Sequence, residues 1–377
     1  MNIGIFTDTY EPQINGVVTS IKAAIDYLQP HHKVWVFCPN VRPPQASTDH
    51  IWRFPSVVYP FQKEYRLVWP YNKRIKDMAK LDLDIIHIHT PFTMGYIGLR
   101  VAKQLSLPVI HTYHTYFEKY IHYVPLLPKK FVAKYARRES ESFCNQCDRI
   151  IVPTDEMHRQ LSQYNITTPI QVLPSGVHHI TPSTSDISAF KATHMRETAF
   201  NALFVGRVGK EKNIHFLLDA IHAVINQAHD IHCTIIGDGP EMAALQKRIV
   251  ADQLSDRITL TGYLSKHDVY CAYYAADALV FPSKTETQGL TAVESLMCGT
   301  PVIGLNEMGI KNVVDHNVSG LLTSDDVDEY QSAIIEMMTD SAKRSMLATN
   351  AVSCGQRFSH VGMGEQLAAI YSDVLAA

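Results

Sequence analysis

Short apolar runs recur at residues 2–6, 33–37, 84–88, 108–111, 149–152 and 170–173. Between them, apolar positions return at helical spacing over 17–28, 94–105, 127–144 and 155–164. Runs that brief fit strands buried on both faces, and their alternation with helices predicts a βαβ domain around a parallel sheet. The rhythm lapses over 174–199, where Ser, Thr and Pro predict an interdomain linker at 179–200. It restarts with strands at 202–205, 231–236, 257–260, 278–281 and 301–303, interleaved with helices near 213–228, 240–251, 267–275 and 288–297. After Thr323 the pattern is helical, over 325–339, 341–355 and 363–375. The expected fold class is α/β, with Rossmann-like doubly wound domains at 1–178 and 201–356 and a last helix within 357–377 packing back on the first. Two such domains facing a central cleft put strand C-termini and helix N-termini on both walls, where ligands bind.

A length of 377 residues agrees with two domains. The opening MNIGIFTD starts as an apolar strand without a basic leader, and no stretch offers the ~18 apolar residues of a membrane span. The expectation is a protein neither secreted through a signal peptide nor anchored by a helix. Seven cysteines, scattered and odd in number, argue for a reducing, cytoplasmic setting. Cys144 and Cys147 form a C-x-x-C, but no second Cys/His pair follows at zinc-finger spacing, so they read as buried helix residues. Net charge is −3, yet residues 1–180 hold 20 Lys/Arg against 14 Asp/Glu, and residues 181–377 hold 14 against 23. The first half therefore suits an anionic membrane or nucleic acid, although an uneven solvated surface gives the same numbers.

The segment TETQGLTAVESLMCGTPVIGL, Thr285 to Leu305, carries the most chemistry. The run ending at Val280 and Phe281 delivers Glu286 to a loop. Leu290, Val293 and Met297 then recur at helical spacing, which places Glu294 inside the helix. First-turn N–H groups receive anions such as phosphate, and carboxylates grip sugar hydroxyls. Before that, Gly206-Arg207-Val208-Gly209-Lys210-Glu211-Lys212 follows a strand; Arg207 offers a planar fork and Lys212 a point charge to phosphate oxygens. Gly237-Asp238-Gly239-Pro240 closes another strand in a tight turn. In the first domain, the loop Thr7–Gly16 enters a helix through Gly16, which lets backbone approach a ligand closely. Neither glycine loop matches a dinucleotide fingerprint or a Walker loop. His87, His89, His111 and His114 lie at H-x-H and H-x-x-H spacing at two strand ends, but nothing makes the second pair converge with the first, and no metal is expected. Asp82-Leu83-Asp84 resembles a metal-binding D-x-D, yet it precedes a buried strand and reads as a turn. From Tyr113 to Arg138, Tyr113, Tyr116, Phe117, Tyr120, Tyr123, Phe131 and Tyr135 mix with Lys119, Lys129, Lys130, Lys134, Arg137 and Arg138. On a helix from about 127, Lys130, Lys134 and Arg138 share a face, a combination suited to an anionic lipid surface.

In order, the Gly16 loop, His111–Thr115, the Arg207/Lys212 loop, Gly237–Pro240 and the Glu286/Glu294 pair resemble the retaining nucleotide-sugar glycosyltransferases of family 4. The segments TDTYEPQINGVVTS and HTYHTYFEKYIHYVP look most like the bacterial enzymes acting on diacylglycerol. The resemblance implies the GT-B architecture, with the donor held by the second domain, the acceptor by the first, and no cofactor or metal required. It implies that Arg207 and Lys212 bind the donor diphosphate, Glu294 the ribose and Glu286 the transferred sugar. Gly16, Gly237 and the Gln288, Gly289, Leu290 and Thr291 backbone would contact phosphate and sugar, Gly262, Tyr263 and Leu264 the base, and His114 the anomeric centre. Tyr113, Tyr116, Lys129, Lys130, Lys134, Arg137 and Arg138 would face acceptor and membrane. The implied partners are a nucleotide sugar, a lipid acceptor and an anionic membrane surface at the cytoplasmic face, and no nucleic acid. Soluble sugar, inositol or protein acceptors, a GDP-mannose donor, a non-catalytic sugar-nucleotide-binding protein and an epimerase remain open. One departure stands out: where relatives often show two adjacent glycines, this chain has Glu307-Met308-Gly309-Ile310-Lys311.

Overall fold

The computed structural model describes residues 1–41, 43–59, 66–69, 75–116, 118 and 128–377. The chain forms two compact units, Met1–Val177 with His360–Ala377, and His178–Ser359.

The first unit contains β1 (Asn2–Phe6), β2 (Lys33–Pro39), β3 (Ile51–Phe54), β4 (Ser56–Val58), β5 (Arg66–Val68), β6 (Ile85–Ile88), β7 (Val109–Thr112), β8 (Arg149–Val152) and β9 (Ile170–Val172). Seven of these make a parallel sheet in the order β3-β2-β1-β6-β7-β8-β9, while β4 and β5 pair antiparallel beside it. Its helices are α1 (Gly16–Leu28), α2 (Ile75–Met78), α3 (Thr93–Leu105), α4 (Lys129–Cys144) and α5 (Asp155–Leu161). Central strands such as β6 and β7 are buried along their whole length, as helices on both faces of a parallel sheet require.

The second unit begins with α6 (Thr184–His194) and builds a parallel sheet from β10 (Phe200–Val205), β11 (Ile231–Ile236), β12 (Ile258–Gly262), β13 (Ala278–Phe281), β14 (Val302–Leu305) and β15 (Gly320–Thr323). The order is β12-β11-β10-β13-β14-β15. Around it lie α7 (Ile214–Asn226), α8 (Met242–Ala251), α9 (Lys266–Ala275), α10 (Leu290–Met297), α11 (Ile310–Val313), α12 (Val327–Thr339) and α13 (Ser341–Gln356). The last helix, α14 (His360–Ala376), belongs to the first unit, where Leu367, Ile370 and Tyr371 join the core of Ile3, Ile21 and Ile110.

Two expectations need correction. Residues 184–194, read as linker, are helical and pack on α9 within the second unit. The Ser183 hydroxyl accepts the Asp186 N–H at 3.2 Å, so the polar stretch that suggested a linker is an N-cap. Strands β3, β4, β5 and β15 were not anticipated.

Candidate functional site

Strand order reverses between β10 and β13 in the second unit and between β1 and β6 in the first. The loops leaving those neighbours emerge side by side at the carboxyl edge of each sheet, the position at which open α/β sheets bind ligands.

In the second unit, β10 runs into Gly206 and Arg207, and a single 3₁₀ turn at Lys210–Lys212 leads to α7. Gly237, in the turn after β11, must be bare because Gly206 crosses it. Gly237 has φ of +136°, and a Cβ there would sit 1.9 Å from the Gly206 carbonyl oxygen. Arg207 pairs with the buried Glu211 at 3.7 Å. Lys212 Nζ forms an ion pair with Glu286 Oε1, although 74 residues separate them. The Ser283 hydroxyl donates to the same Oε1 at 2.8 Å. From the β14 loop, the Gly309 N–H donates to the Glu286 carbonyl at 2.8 Å. Glu286 is thereby held from three separate stretches of chain.

Three residues beyond Glu286, Gly289 with φ of +92° opens α10. The N–H groups of Leu290 and Thr291, in the first turn, precede any intrahelical acceptor and point off the helix end. Gln288 is buried, and Glu294 lies one turn inside with Oε2 accepting the Tyr273 hydroxyl at 3.0 Å. Burial raises the Glu294 pKa above the usual carboxylate value; the Lys266 charge and the Tyr273 hydrogen bond pull against it. At the neighbouring strand ends, the Gly262 carbonyl accepts the Gly237 N–H at 2.9 Å, Tyr263 is exposed with its hydroxyl 3.3 Å from the Asp238 carbonyl, and Leu264 is half-buried. Two cations, two carboxylates and a helix start therefore share one sheet edge. That arrangement takes a ligand carrying both phosphate and hydroxyls.

In the first unit, Asn15 caps α1 through the Val18 N–H at 3.0 Å, and its amide nitrogen donates to Thr9 Oγ1, which places Gly16 at the helix start. Buried Asp8 accepts the hydroxyls of Thr90 and Thr93 and the Met94 N–H, at 2.7, 2.7 and 2.9 Å, and so ties the β1 loop to the start of α3. Burial raises its pKa against those hydrogen bonds. His89, just past β6, meets His114, just past β7: Nδ1 and Nε2 share a hydrogen bond of 2.8 Å. Burial and the nearby His111 lower the His114 pKa to about 3. The two histidine pairs therefore do converge. They do so by ring-to-ring contact, and His87 engages both nitrogens, with Tyr371 and Thr112. Among the described residues no group of three or more His, Cys, Asp or Glu is placed to hold a metal ion.

The anticipated acceptor and membrane face is narrower than its sequence. Tyr113 is buried with its hydroxyl on Ser140 at 2.9 Å, and Tyr116 is buried against Gln160 and Glu118. Neither reaches a surface. Arg137 is held by Glu141 at 3.1 Å and lies over the Tyr164 ring at 4.5 Å, with its side chain still partly exposed. Lys129 opens α4. Lys130, Lys134 and Arg138 are exposed, flanked by Phe131 at 71% and Tyr135 at 66% exposure. Phe117, Lys119, Tyr120 and Tyr123 lie outside the described residues. Among the described residues no helix is long and apolar enough to cross a membrane.

The remaining motifs are structural. Asp84 accepts the Asn2 N–H at 2.6 Å and the Asp82 carbonyl accepts the Asn2 amide, fastening the edge of β1. Burial raises the thiol pKa of Cys144, to about 12, and of Cys147. Sequence reasoning missed Ser283 and Tyr273. The first carries a faint signal, three residues before Glu286; the second reaches Glu294 from another helix and leaves none.

Residues 186–353 match the family model described as Glycosyl transferases group 1, and residues 14–179 match Glycosyltransferase Family 4. The alpha-monoglucosyldiacylglycerol synthase of Streptococcus pneumoniae is 32% identical over 349 residues, 90% of this chain and 78% of that protein. The synthase of the same name from Acholeplasma laidlawii is 34% identical over 80% of each chain. A GDP-mannose-dependent alpha-mannosyltransferase of Corynebacterium glutamicum is 26% identical over 100% of this chain and 90% of that protein. Among solved structures, sucrose-phosphate synthase from Thermosynechococcus elongatus aligns over both full chains with a TM-score of 0.80 at 19% identity. Anabaena HepE in complex with UDP-glucose aligns with a TM-score of 0.78 at 18% identity, covering 98% of this chain and 99% of that one. The two parallel-sheet units are those of the GT-B fold.

Proposed function

The chain belongs to the group 1 glycosyltransferases of family 4, and from that membership we propose that it moves glucose from UDP-glucose to a hydroxyl of diacylglycerol, forming an α-glycosidic bond with retention. The observation that carries this reading is the convergence of Arg207, Lys212, Ser283 and Glu286 beside the start of α10. Arg207, Lys212 and the first-turn N–H groups of α10 take the diphosphate. The two side-chain cations offset the charge that builds on it as the sugar leaves. Glu286, fixed through Oε1, receives sugar hydroxyls on its other oxygen, and Glu294 receives the ribose. His114 of the first unit is the candidate contact to the transferred sugar.

Attack occurs on the face the diphosphate leaves, and the departing phosphate oxygen takes the acceptor proton. Glu286 is not a nucleophile in this scheme, because the acceptor hydroxyl itself attacks the anomeric carbon. Catalysis is expected without an added divalent metal.

The lipid acceptor draws on the names of the two synthases above 30% identity and on the exposed Lys130, Lys134 and Arg138 beside Phe131 and Tyr135, a face suited to peripheral binding of anionic membrane. The mannosyltransferase match along the whole chain favours a second reading with GDP-mannose as donor. The test is transfer from radiolabelled UDP-glucose, UDP-galactose and GDP-mannose to diacylglycerol in anionic vesicles. A glucolipid formed from UDP-glucose supports the proposal, a mannolipid selects the second reading, and no lipid product from any donor overturns both.

A further inference from the structure

Lys212 and Glu286 form an ion pair, and the Ser283 hydroxyl donates to the same carboxylate oxygen at 2.8 Å. Both contacts fall on Oε1. Oε2 carries no hydrogen bond among the described residues, and the Lys212 and Glu286 side chains keep 18% and 15% of their exposure. Arg207 lies 3.7 Å from Glu211, whose side chain is buried. The two cations of this sheet edge are thus matched one to one by carboxylates of the same unit.

That balance bears on which phosphate ligand the edge prefers. An ammonium has three N–H donors but a single charge. Glu286 takes one of those donors, so a phosphate oxygen bound to another, with both bonds near 2.8 Å and tetrahedral at nitrogen, rests within about 5 Å of the carboxylate. Like charges at that range repel appreciably even at an effective dielectric constant of about 20. A sugar carried on the phosphate offsets the repulsion, because its hydroxyls donate to Oε2 in hydrogen bonds to a charged acceptor. A nucleoside diphosphate has no sugar hydroxyl to offer there. Its terminal phosphate, no longer esterified, also carries an additional negative charge once the proton taken from the acceptor has passed to solvent.

We infer that Glu286 sets the preference of this site for an intact sugar nucleotide over the nucleoside diphosphate left after transfer. Its charge competes for Lys212 against a bare terminal phosphate and is compensated by the hydroxyls of a sugar still attached, so the residue that holds the sugar also hastens release of the spent diphosphate. This rests on the reading of the Arg207–Lys212 edge as the diphosphate site and of Glu286 as the sugar contact.

The experiment measures by calorimetry, at fixed ionic strength, the dissociation constants of the full chain for uridine, UDP and UDP-glucose, with guanosine, GDP and GDP-mannose alongside. Wild type is compared with Glu286→Gln, which keeps an acceptor oxygen for Lys212 and Ser283 and removes only the charge, and with Ser283→Ala, which keeps the charge and leaves it to Lys212 alone. In Glu286→Gln, UDP is expected to bind about tenfold tighter, UDP-glucose no tighter and uridine unchanged, and UDP becomes a correspondingly stronger inhibitor of turnover. In Ser283→Ala, UDP binding is expected to weaken. If the wild type selects the guanosine series, the same shifts are read on GDP and GDP-mannose. Unchanged or weaker diphosphate binding in Glu286→Gln overturns the inference; should that variant not fold, unchanged or tighter binding in Ser283→Ala overturns it. Equal tightening of the diphosphate and its sugar conjugate in Glu286→Gln overturns the reading of Glu286 as a sugar contact, and the preference with it. A wild type that binds neither series overturns the donor reading itself.

Discussion

Replacing Lys212 by Met separates a structural ion pair from a donor-binding one. Lys212 and Glu286 are mostly enclosed, with side-chain exposures of 18% and 15%, and Ser283 adds one further donor to Oε1. The methionine keeps the apolar stem near the Phe281 ring, where Lys212 Nζ now lies 5.9 Å from the centroid. It strands a carboxylate with Ser283 alone. A lost hydrogen bond to a charged group costs about 1.5–3 kcal/mol, and residual solvent at the pair puts the figure near the lower end, about 2 kcal/mol. For a unit of this size, that lowers its melting midpoint by about 4–8 °C. Adding Glu286→Gln removes the stranded charge, so the double variant should regain most of the midpoint. Turnover should behave differently. Loss of one donor that stabilises developing charge costs about 2.7–4 kcal/mol of barrier, a 10²–10³-fold fall in kcat, and the double variant restores nothing because neither substitution supplies a cation. Thermal unfolding and radiolabelled transfer to vesicles, run on the same preparations, read both effects. A double variant that recovers turnover together with stability would refute the reasoning.

Tyr273→Phe removes the hydroxyl from Glu294 Oε2; donor KM should rise about three- to tenfold, roughly 1 kcal/mol, and a donor lacking the ribose hydroxyls should show no such difference. Gly237→Ala meets the Gly206 carbonyl at 1.9 Å with φ of +136° and should cost more than about 3 kcal/mol, read as lost soluble expression or a collapsed melting midpoint. Charge reversal at Lys130, Lys134 and Arg138 together, on an exposed face, should abolish salt-sensitive co-sedimentation with anionic vesicles while leaving donor affinity unchanged in detergent. Acid should destabilise the first unit: His111 and His114 have pKa values lowered from 6.5 to about 4 and about 3. Below pH 6.5 the unfolded chain binds protons that the folded one refuses. Their contribution is therefore full above about pH 6.5 and is lost toward pH 4, by up to about 1.4 kcal/mol per histidine per pH unit. Asp8, raised, acts in the opposite sense, and a first-unit midpoint that stays flat from pH 7 to 5 would contradict the balance.

The sheet-and-helix rhythm was legible because fully buried strands such as β10 and β11 are mostly apolar and each is followed by a loop and a helix of ordinary length. Glu286 and Glu294 were legible for the same reason, since a strand end, a breaker and a helical period fix where each carboxylate falls. What holds them was not. Lys212 reaches Glu286 across 74 residues and Tyr273 reaches Glu294 from a different helix, and no local spacing encodes either contact. The aromatic-basic stretch after His111 misled in the opposite way. Helical periodicity separated Lys130, Lys134 and Arg138 correctly as one face. It gave no means of seeing that Tyr113 is buried against Ser140 of that helix and Tyr116 against Gln160, or that Arg137 pairs with Glu141 and Tyr164.

The departure at Glu307–Lys311 shows how such long-range contacts limit what a chain can change. Gly309 is constrained on its face toward the Glu286 loop: a Cβ there would sit 2.3 Å from the Thr287 carbonyl oxygen, and its N–H holds the Glu286 carbonyl. Its neighbour Met308 carries a buried side chain and a φ of +44°, a left-handed conformation that glycine adopts freely and methionine does not. Strain of that kind, of order 1 kcal/mol, persists only where the surroundings over-determine the backbone. Here the surroundings are named: Gly309 fixed to Glu286, and Ile310 packed against Gly289 at the start of α10, where a Cβ on Gly289 would lie 2.4 Å from Ile310 Cδ1. The backbone path of the β14 loop is thus dictated by the loop that carries Glu286, and a side chain sits at Met308, where the cost is strain, and not at Gly309, where it would be collision.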